Sequence, residues 1–154
     1  MRRNDREISD IKEIEEIILR ADVCRIAIAN NNVPYIVTMN FGYTGDPKQT
    51  LFFHCANEGK KLDMIRQNNY VCFEMDTDHH LTRGKRGCDW GMKFSSILGY
   101  GNIYIVTEKE EKITGLNSIM AHYGGEGDYV YEKKVLDQTT ILRLDILDMT
   151  CKKK

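Results

Sequence analysis

The constraint that most limits this chain is how its strand-like runs are joined: by short turns, hairpin fashion, and not by helices in regular β-α-β succession. Cys24, Ile26 and Ile28 alternate with Val23, Arg25 and Ala27, the period of a strand with one buried face. Asn30-Asn31-Asn32 follows, a turn of residues that tolerate left-handed backbone. Pro34 through Phe41 then reads as the returning strand of a hairpin. A turn from Gly42 to Gln49 leads to a third strand, Leu51 to Ala56, and Tyr70 to Met75 gives another. Phe94 through Val106 is strand again, and Gly99 and Gly101 inside it predict a bulge or a close backbone approach. The last strand interleaves Ile141, Leu142, Leu144, Ile146 and Met149 with Arg143, Asp145 and Asp148.

Helical periods are fewer. Ile8, Ile11, Ile14, Ile17 and Ile18 place an apolar stripe on one helix face, with Asp10 and Glu13 spaced as a capping box. A short helix opens at Lys60 and runs through Leu62, Ile65 and Arg66 to Asn68-Asn69. A third carries Ile113, Leu116, Ile119 or Met120, and Tyr123, and stops at Gly124-Gly125-Glu126-Gly127. His79 to Gly91, charged and rich in turn formers, reads as a long loop. About six strands and three helices joined this way predict a mainly β (α+β) fold, an antiparallel barrel or sandwich with helices outside it. A chain of 154 residues suits one domain over residues 1–154.

A formal charge of −1 gives no electrostatic ground for a nucleic-acid partner. No apolar run approaches the ~20 residues that cross a bilayer, and Met1-Arg2-Arg3-Asn4-Asp5-Arg6-Glu7 turns acidic where a signal peptide needs an apolar core. A cytoplasmic protein with no membrane partner is therefore expected. The five cysteines are odd in number and scattered, which fits reduced thiols better than a disulfide framework. Cys72, His79, His80 and Cys88 match no usual zinc spacing, so no metal site is expected.

The chemistry concentrates in Phe53-His54-Cys55-Ala56-Asn57-Glu58-Gly59-Lys60-Lys61-Leu62-Asp63. A strand ends, a glycine permits an unusual turn, and two lysines occupy the first turn of a helix, where they oppose its dipole. A phosphate docked there would resolve the conflict, since backbone N–H groups and both ammonium groups would converge on it. From this segment alone a phosphate grip and a solvated lysine pair are equally good readings. His54, alone in an apolar strand, suits a structural role, although its place near the turn toward Lys60 favours function. His79-His80 suits an exposed loop, and Trp90 an anchor for that loop.

The run Phe53 to Asp63 resembles the strand-turn-helix of the flavin-binding split barrels in the pyridoxamine 5'-phosphate oxidase superfamily. Val23 to Ala27, Pro34 to Tyr43, Val71 to Glu74 and Ser95 to Gly101 resemble successive strands of its nitroimidazole-resistance branch, so the likeness spans nearly the whole chain. The resemblance implies an antiparallel FMN-binding split β-barrel. It also implies roles: Lys60 and Lys61 on the FMN phosphate, with a hydroxyl from Ser96 or Ser95; Thr38, Met39 and Asn40 along the isoalloxazine ring; Phe53 and His54 beside the ribityl chain. His54 is the candidate catalytic residue. Two departures from the oxidase itself, lysine for arginine in the basic pair and no basic C-terminal segment, argue against pyridoxamine phosphate oxidation.

The expected function is an FMN-dependent oxidoreductase that reduces a small electron-poor compound, such as a 5-nitroimidazole-type nitroaromatic, with NADH or NADPH. The alternatives are a non-enzymatic flavin- or heme-binding sensor or carrier, and a cofactor-free structural domain. One compact anion site without a G-x-G-x-x-G fingerprint favours FMN over FAD. A homodimer with FMN at the subunit interface is expected, its association burying the apolar strands Val37–Phe41 and Phe52–Ala56.

Overall fold

Asp10 caps the first helix, as its spacing requires. The computed structural model describes residues 3–125, 127 and 129–154, so Met1, Arg2 and Glu126 of the segments discussed above lie outside the described residues. In α1 (Ile11–Arg20) the Asp10 carboxylate accepts from the Lys12 backbone N–H at 3.1 Å, while Glu13 turns to the Lys153 ammonium, 3.1 Å away. Ile14, Ile17 and Ile18 are buried. Ile8 is not part of this stripe: it belongs to β1 (Glu7–Ile8), paired with the C-terminal strand opposite Cys151.

β2 (Cys24–Asn30) and β3 (Val33–Met39) form the expected hairpin. Asn31 and Asn32 both take positive φ, 49° and 61°, the two-residue turn whose twist matches its strands. The expected single strand Pro34–Phe41 breaks at Asn40. β3 pairs with β2 up to Met39, whereas β4 (Phe41–Thr44) pairs with β5 (Thr50–Ala56), Phe41 opposite Phe53. The chain continues through α2 (Lys60–Gln67), β6 (Tyr70–Thr82), β7 (Gly91–Val106), α3 (Lys109–Gly124), α4 (Lys133–Gln138) and β8 (Thr139–Lys153).

All pairings are antiparallel, and the order is β3-β2-β6-β7-β8-β5-β4. The two outer strands of that order, β3 and β4, are consecutive in sequence and joined by Asn40 alone. The sheet therefore curls until its edges meet at one residue without bonding to each other. This is an antiparallel split barrel with flanking helices.

The expected loop from His79 to Gly91 is strand at its two ends and loop between them. β6 and β7 stay paired out to Thr82 opposite Gly91, leaving Arg83–Trp90 as the connection. A bulge at Asp78, whose φ is 59°, shifts the alternation by one and hides the strand from a periodicity reading. Gly99 and Gly101 mark close approaches, since a Cβ on either would collide with Phe73 or the Asp145 carbonyl, and the register shift beside them leaves its extra residue, Leu147, on β8.

Phe41, Phe53, Phe73, Ile26, Leu51, Ile97 and Ile103 fill the barrel interior. α1 and α2 pack at the barrel, while α3 lies outside on β4 and β5, over a smaller cluster of Phe52, Val106, Ile119 and Ile141. A Cβ on Gly42 would collide with the α3 backbone at Ser118 and Ile119, so β4 and α3 touch where only glycine fits. The five cysteines are unpaired. No described helix is long and apolar enough to cross a membrane.

Candidate functional site

The β5–α2 turn is pinned before it reaches the lysines. The Asn57 side chain donates to the Asp137 carbonyl at 2.8 Å and accepts from the Thr140 hydroxyl at 2.8 Å. Gly59 then takes φ 129° and ψ 165°, backbone that a side chain would strain, and a Cβ there would meet nothing within 4 Å. α2 starts immediately, with no side chain capping it. Its orphan N–H groups coincide with Lys60 and Lys61 in the first turn. Asp63 is also in that turn, but is paired with Arg66 at 2.9 Å.

The Lys60 ammonium lies 4.7 Å from the centre of the Tyr35 ring on β3. The start of α2 therefore reaches across the split to the other edge of the sheet. Lys61 is half-buried and close enough to Cys55 to favour its thiolate, but burial dominates and pushes that thiol up.

The seam gathers some of the expected residues and parts others. One step beyond Phe41–Phe53 in the register places Asn40 opposite His54, and both are exposed. Thr38 points outward from β3; Met39 points inward and is buried. The side chains of Phe53 and Ser95 are wholly in the interior. Ser95 donates to Asp78 at 2.8 Å, and Asp78 also holds Arg20 at 3.0 Å. Ser96 faces outward opposite Asp76. The Tyr35 ring under Lys60 lies level with Gly101 of β7, through Ile28 of β2 and Val71 of β6. Ser96 is thus roughly 17 Å along β7 from the level of Lys60 in the same chain, at ~3.3 Å per residue.

An ion network that sequence reasoning missed crosses the outer face. Arg25 on β2 binds Glu74 at 3.0 Å and also Asp76, both on β6, and these hydrogen bonds, Asp76's foremost, hold the guanidinium firmly charged. The only sequence signal for it is that Arg25, Glu74 and Asp76 all fall on outward positions of their strands. The same face exposes Ile36, Tyr70, Leu98 and Tyr100, with the two tyrosine rings stacked 6.1 Å apart. By contrast Phe41, Phe52 and Phe53, expected to need a partner subunit, are buried within the chain by the barrel and α3. The uncovered apolar surface is therefore on β3, β6 and β7 and not on β4 and β5.

Comparison with known proteins gives a consistent picture. A family model described as pyridoxamine 5'-phosphate oxidase matches residues 10–153. The crystal structure of a candidate 5-nitroimidazole antibiotic resistance protein from Bacteroides thetaiotaomicron is 33% identical, covers 96% of this chain and 86% of its own, and superposes with a TM-score of 0.83. A flavocytochrome from Azotobacter vinelandii matches at a TM-score of 0.84 with 15% identity, over 100% of this chain and 72% of its own. A FAD- and heme-binding protein from Mycobacterium smegmatis matches at 0.84 with 12% identity, over 97% and 73%. The last two share the fold. Curated protein sequences give no match.

Proposed function

The chain belongs to the pyridoxamine 5'-phosphate oxidase family, and from that premise we propose that it is a cytoplasmic, FMN-dependent oxidoreductase acting on small electron-poor compounds, nitroaromatics of the 5-nitroimidazole type among them, with NADH or NADPH as donor. The observation that carries this reading is the uncapped start of α2, where Lys60 and Lys61 follow an open Gly59. Backbone N–H groups, the positive helix end and two ammonium groups favour an anion there. Lys60 would exchange its contact with Tyr35, worth about 0.5–1 kcal/mol at an exposed site, for a charge-assisted hydrogen bond worth about 1.5–3 kcal/mol. The phosphate wins that exchange. The 33% identity with the candidate resistance protein supports the substrate class.

When bound, FMN would supply the electron chemistry. Lys60 and Lys61 would hold its phosphate, and Thr38 and Asn40 would orient its ring through backbone and side-chain polar groups. Phe53 and Met39 would contribute backbone only, their side chains being buried. His54, exposed beside Asn40, is the histidine at the seam and the candidate catalytic residue, as a group able to move a proton. Ser96 would reach a phosphate at Lys60–Lys61 only from a second copy. The exposed face of Ile36, Tyr70, Leu98 and Tyr100 offers the surface for such a homodimer.

Mass spectrometry of the flavin released by heating the purified protein tests the cofactor, with FMN expected; recovery of FAD alone overturns FMN. Anaerobic addition of NADH or NADPH tests turnover through bleaching of the flavin band, followed by its recovery when a nitroaromatic is added. A bound flavin that neither nucleotide bleaches makes the protein a carrier or sensor instead.

A further inference from the structure

We infer that the cavity between α3 and α4 is a second binding site, separate from the proposed flavin seam, for a planar aromatic anion: a ring carrying one phosphate or carboxylate. The cavity encloses ≈ 570 Å³, within the ~300–1,000 Å³ typical of small-molecule sites. Its apolar part comes from Ile113 and Leu136, and its aromatic walls from Tyr129 and Tyr131. Both hydroxyls are already engaged, Tyr131 with the Asn117 side chain at 2.8 Å and Tyr129 with the Gly125 carbonyl at 2.6 Å. The rings are thereby fixed in place, so stacking on them loses little side-chain entropy.

The charged part is one-sided. Lys109 and Lys112 line the cavity from the first turn of α3, and no carboxylate among the described residues pairs with either. Lys112 donates to the Thr139 carbonyl at 3.2 Å, which fixes the ammonium without neutralising it. Lys133, by contrast, is matched by Asp137 at 2.6 Å. Two cations with no carboxylate partner among the described residues, beside an aromatic and aliphatic pocket, select a ligand that is flat and apolar at one end and anionic at the other. A dianion with no ring would leave the walls unused, and an uncharged ring would leave the cations unused. None of Thr38, Asn40, His54, Lys60 or Lys61 lines the cavity. Asn57 connects the two regions, since it bonds the carbonyl of the cavity residue Asp137 and lies on the turn that leads to Lys60.

Isothermal titration calorimetry on the full chain tests this with adenosine 5'-monophosphate and nicotinate as ring-plus-anion probes, and adenosine and inorganic phosphate as half-probes. At least one ring-plus-anion probe should bind with one-to-one stoichiometry, at least tenfold more tightly than either half-probe. Which of the two binds distinguishes phosphate from carboxylate. Lys109→Gln/Lys112→Gln should weaken that probe at least tenfold, Leu136→Trp should abolish its binding by filling the cavity, and Lys60→Ala/Lys61→Ala should leave it unchanged. Binding of both probes no tighter than the half-probes, or unaffected by the Lys109 and Lys112 changes, overturns the inference. So does an FMN titration that responds to Lys109→Gln/Lys112→Gln as strongly as to Lys60→Ala/Lys61→Ala, because the cavity would then belong to the flavin site.

Discussion

Replacing both Lys60 and Lys61 with alanine separates a phosphate grip from a surface lysine pair. The two are not equivalent. Lys60 is exposed and rests on the Tyr35 ring at 4.7 Å; its phosphate bond, about 1.5–3 kcal/mol, is offset by the lost cation–π contact of about 0.5–1 kcal/mol. Lys61 is half-buried, is less screened by water, and has no such contact to give up. Screening at this open helix start lowers both contributions, so the pair should be worth roughly 2–4 kcal/mol, at 1.4 kcal/mol per tenfold in affinity. FMN affinity, followed by quenching of flavin fluorescence, should fall at least tenfold in the double variant, with Lys61→Ala the more damaging single change. Riboflavin lacks the phosphate and should bind wild type and double variant nearly alike. The FMN loss should also shrink as salt rises. An FMN titration unchanged in the double variant, or a riboflavin titration that weakens in parallel, would refute the phosphate grip.

Three further outcomes follow from the packing. Gly42→Ala should lower the melting temperature by several degrees by circular dichroism, because the new methyl meets rigid α3 backbone and overpacking costs typically 1–3 kcal/mol; an unchanged melt would mean that α3 can slide off β4. Hydrogen bonds from Arg20, and then from Ser95, hold the Asp78 carboxyl below its ordinary range, so its stabilisation is complete above the unfolded value of about 3.9 and is lost as pH falls through the lower folded value. Asp78→Asn, which tolerates the positive φ, should therefore be less stable than wild type in urea at neutral pH, and the gap should close in acid; a gap independent of pH would exclude this linkage. Burial pushes the Cys24 thiol far up and the Cys151 thiol up to about 11, whereas Cys88 is exposed. A brief iodoacetamide pulse at pH 8 should alkylate Cys88 first by peptide mass mapping and leave Cys24 and Cys151 unmodified until the protein unfolds.

The strands were legible where one partner served a whole strand. Cys24, Ile26 and Ile28 announce β2, and the asparagines announce its turn, because sidedness and left-handed backbone are local properties. The break at Asn40 was not legible. Tyr35, Val37, Met39 and Phe41 all keep the inward parity, so the alternation runs straight through the point where the hydrogen-bond partner changes from β2 to β5. Periodicity reports which way a side chain faces, not which strand lies beside it. The opposite failure occurred at Asp78, where one bulged residue shifted the parity and made a paired strand look like a loop. The start of α2 could be read as a motif because its glycine and lysines are contiguous. The Arg25–Glu74–Asp76 network could not, since its members stand 49 and 51 residues apart. Between Ser95 and Ser96, parity alone decides which hydroxyl faces out, and the register gives Ser96.

The three longest helices treat their N-termini differently, and the difference bears on what the seam is for. α1 begins on the Asp10 cap with Glu13 beside Lys12 in its first turn, and α3 begins at Glu108 with Glu110 and Glu111 between Lys109 and Lys112, so in both the lysines are offset by the acids a helix start prefers. α2 begins on Gly59, Lys60 and Lys61, and its one early acid is paired with Arg66. For folding alone, an acidic residue at position 60 or 61 would be the better choice by a few tenths of a kcal/mol. The turn before it is nevertheless held firmly, since Asn57 ties it to both Asp137 and Thr140. A segment that is rigidly positioned and yet electrostatically unfavourable for its own helix is suited to an external anion. The split supplies the rest of the requirement. Because β3 and β4 meet at Asn40 without bonding, edge N–H and C=O groups remain unpaired by the ladder beside His54. A closed barrel would have consumed those groups. In this chain they stand one strand-end away from the cationic helix start, which is the pairing of features that a phosphorylated ring with a polar edge requires.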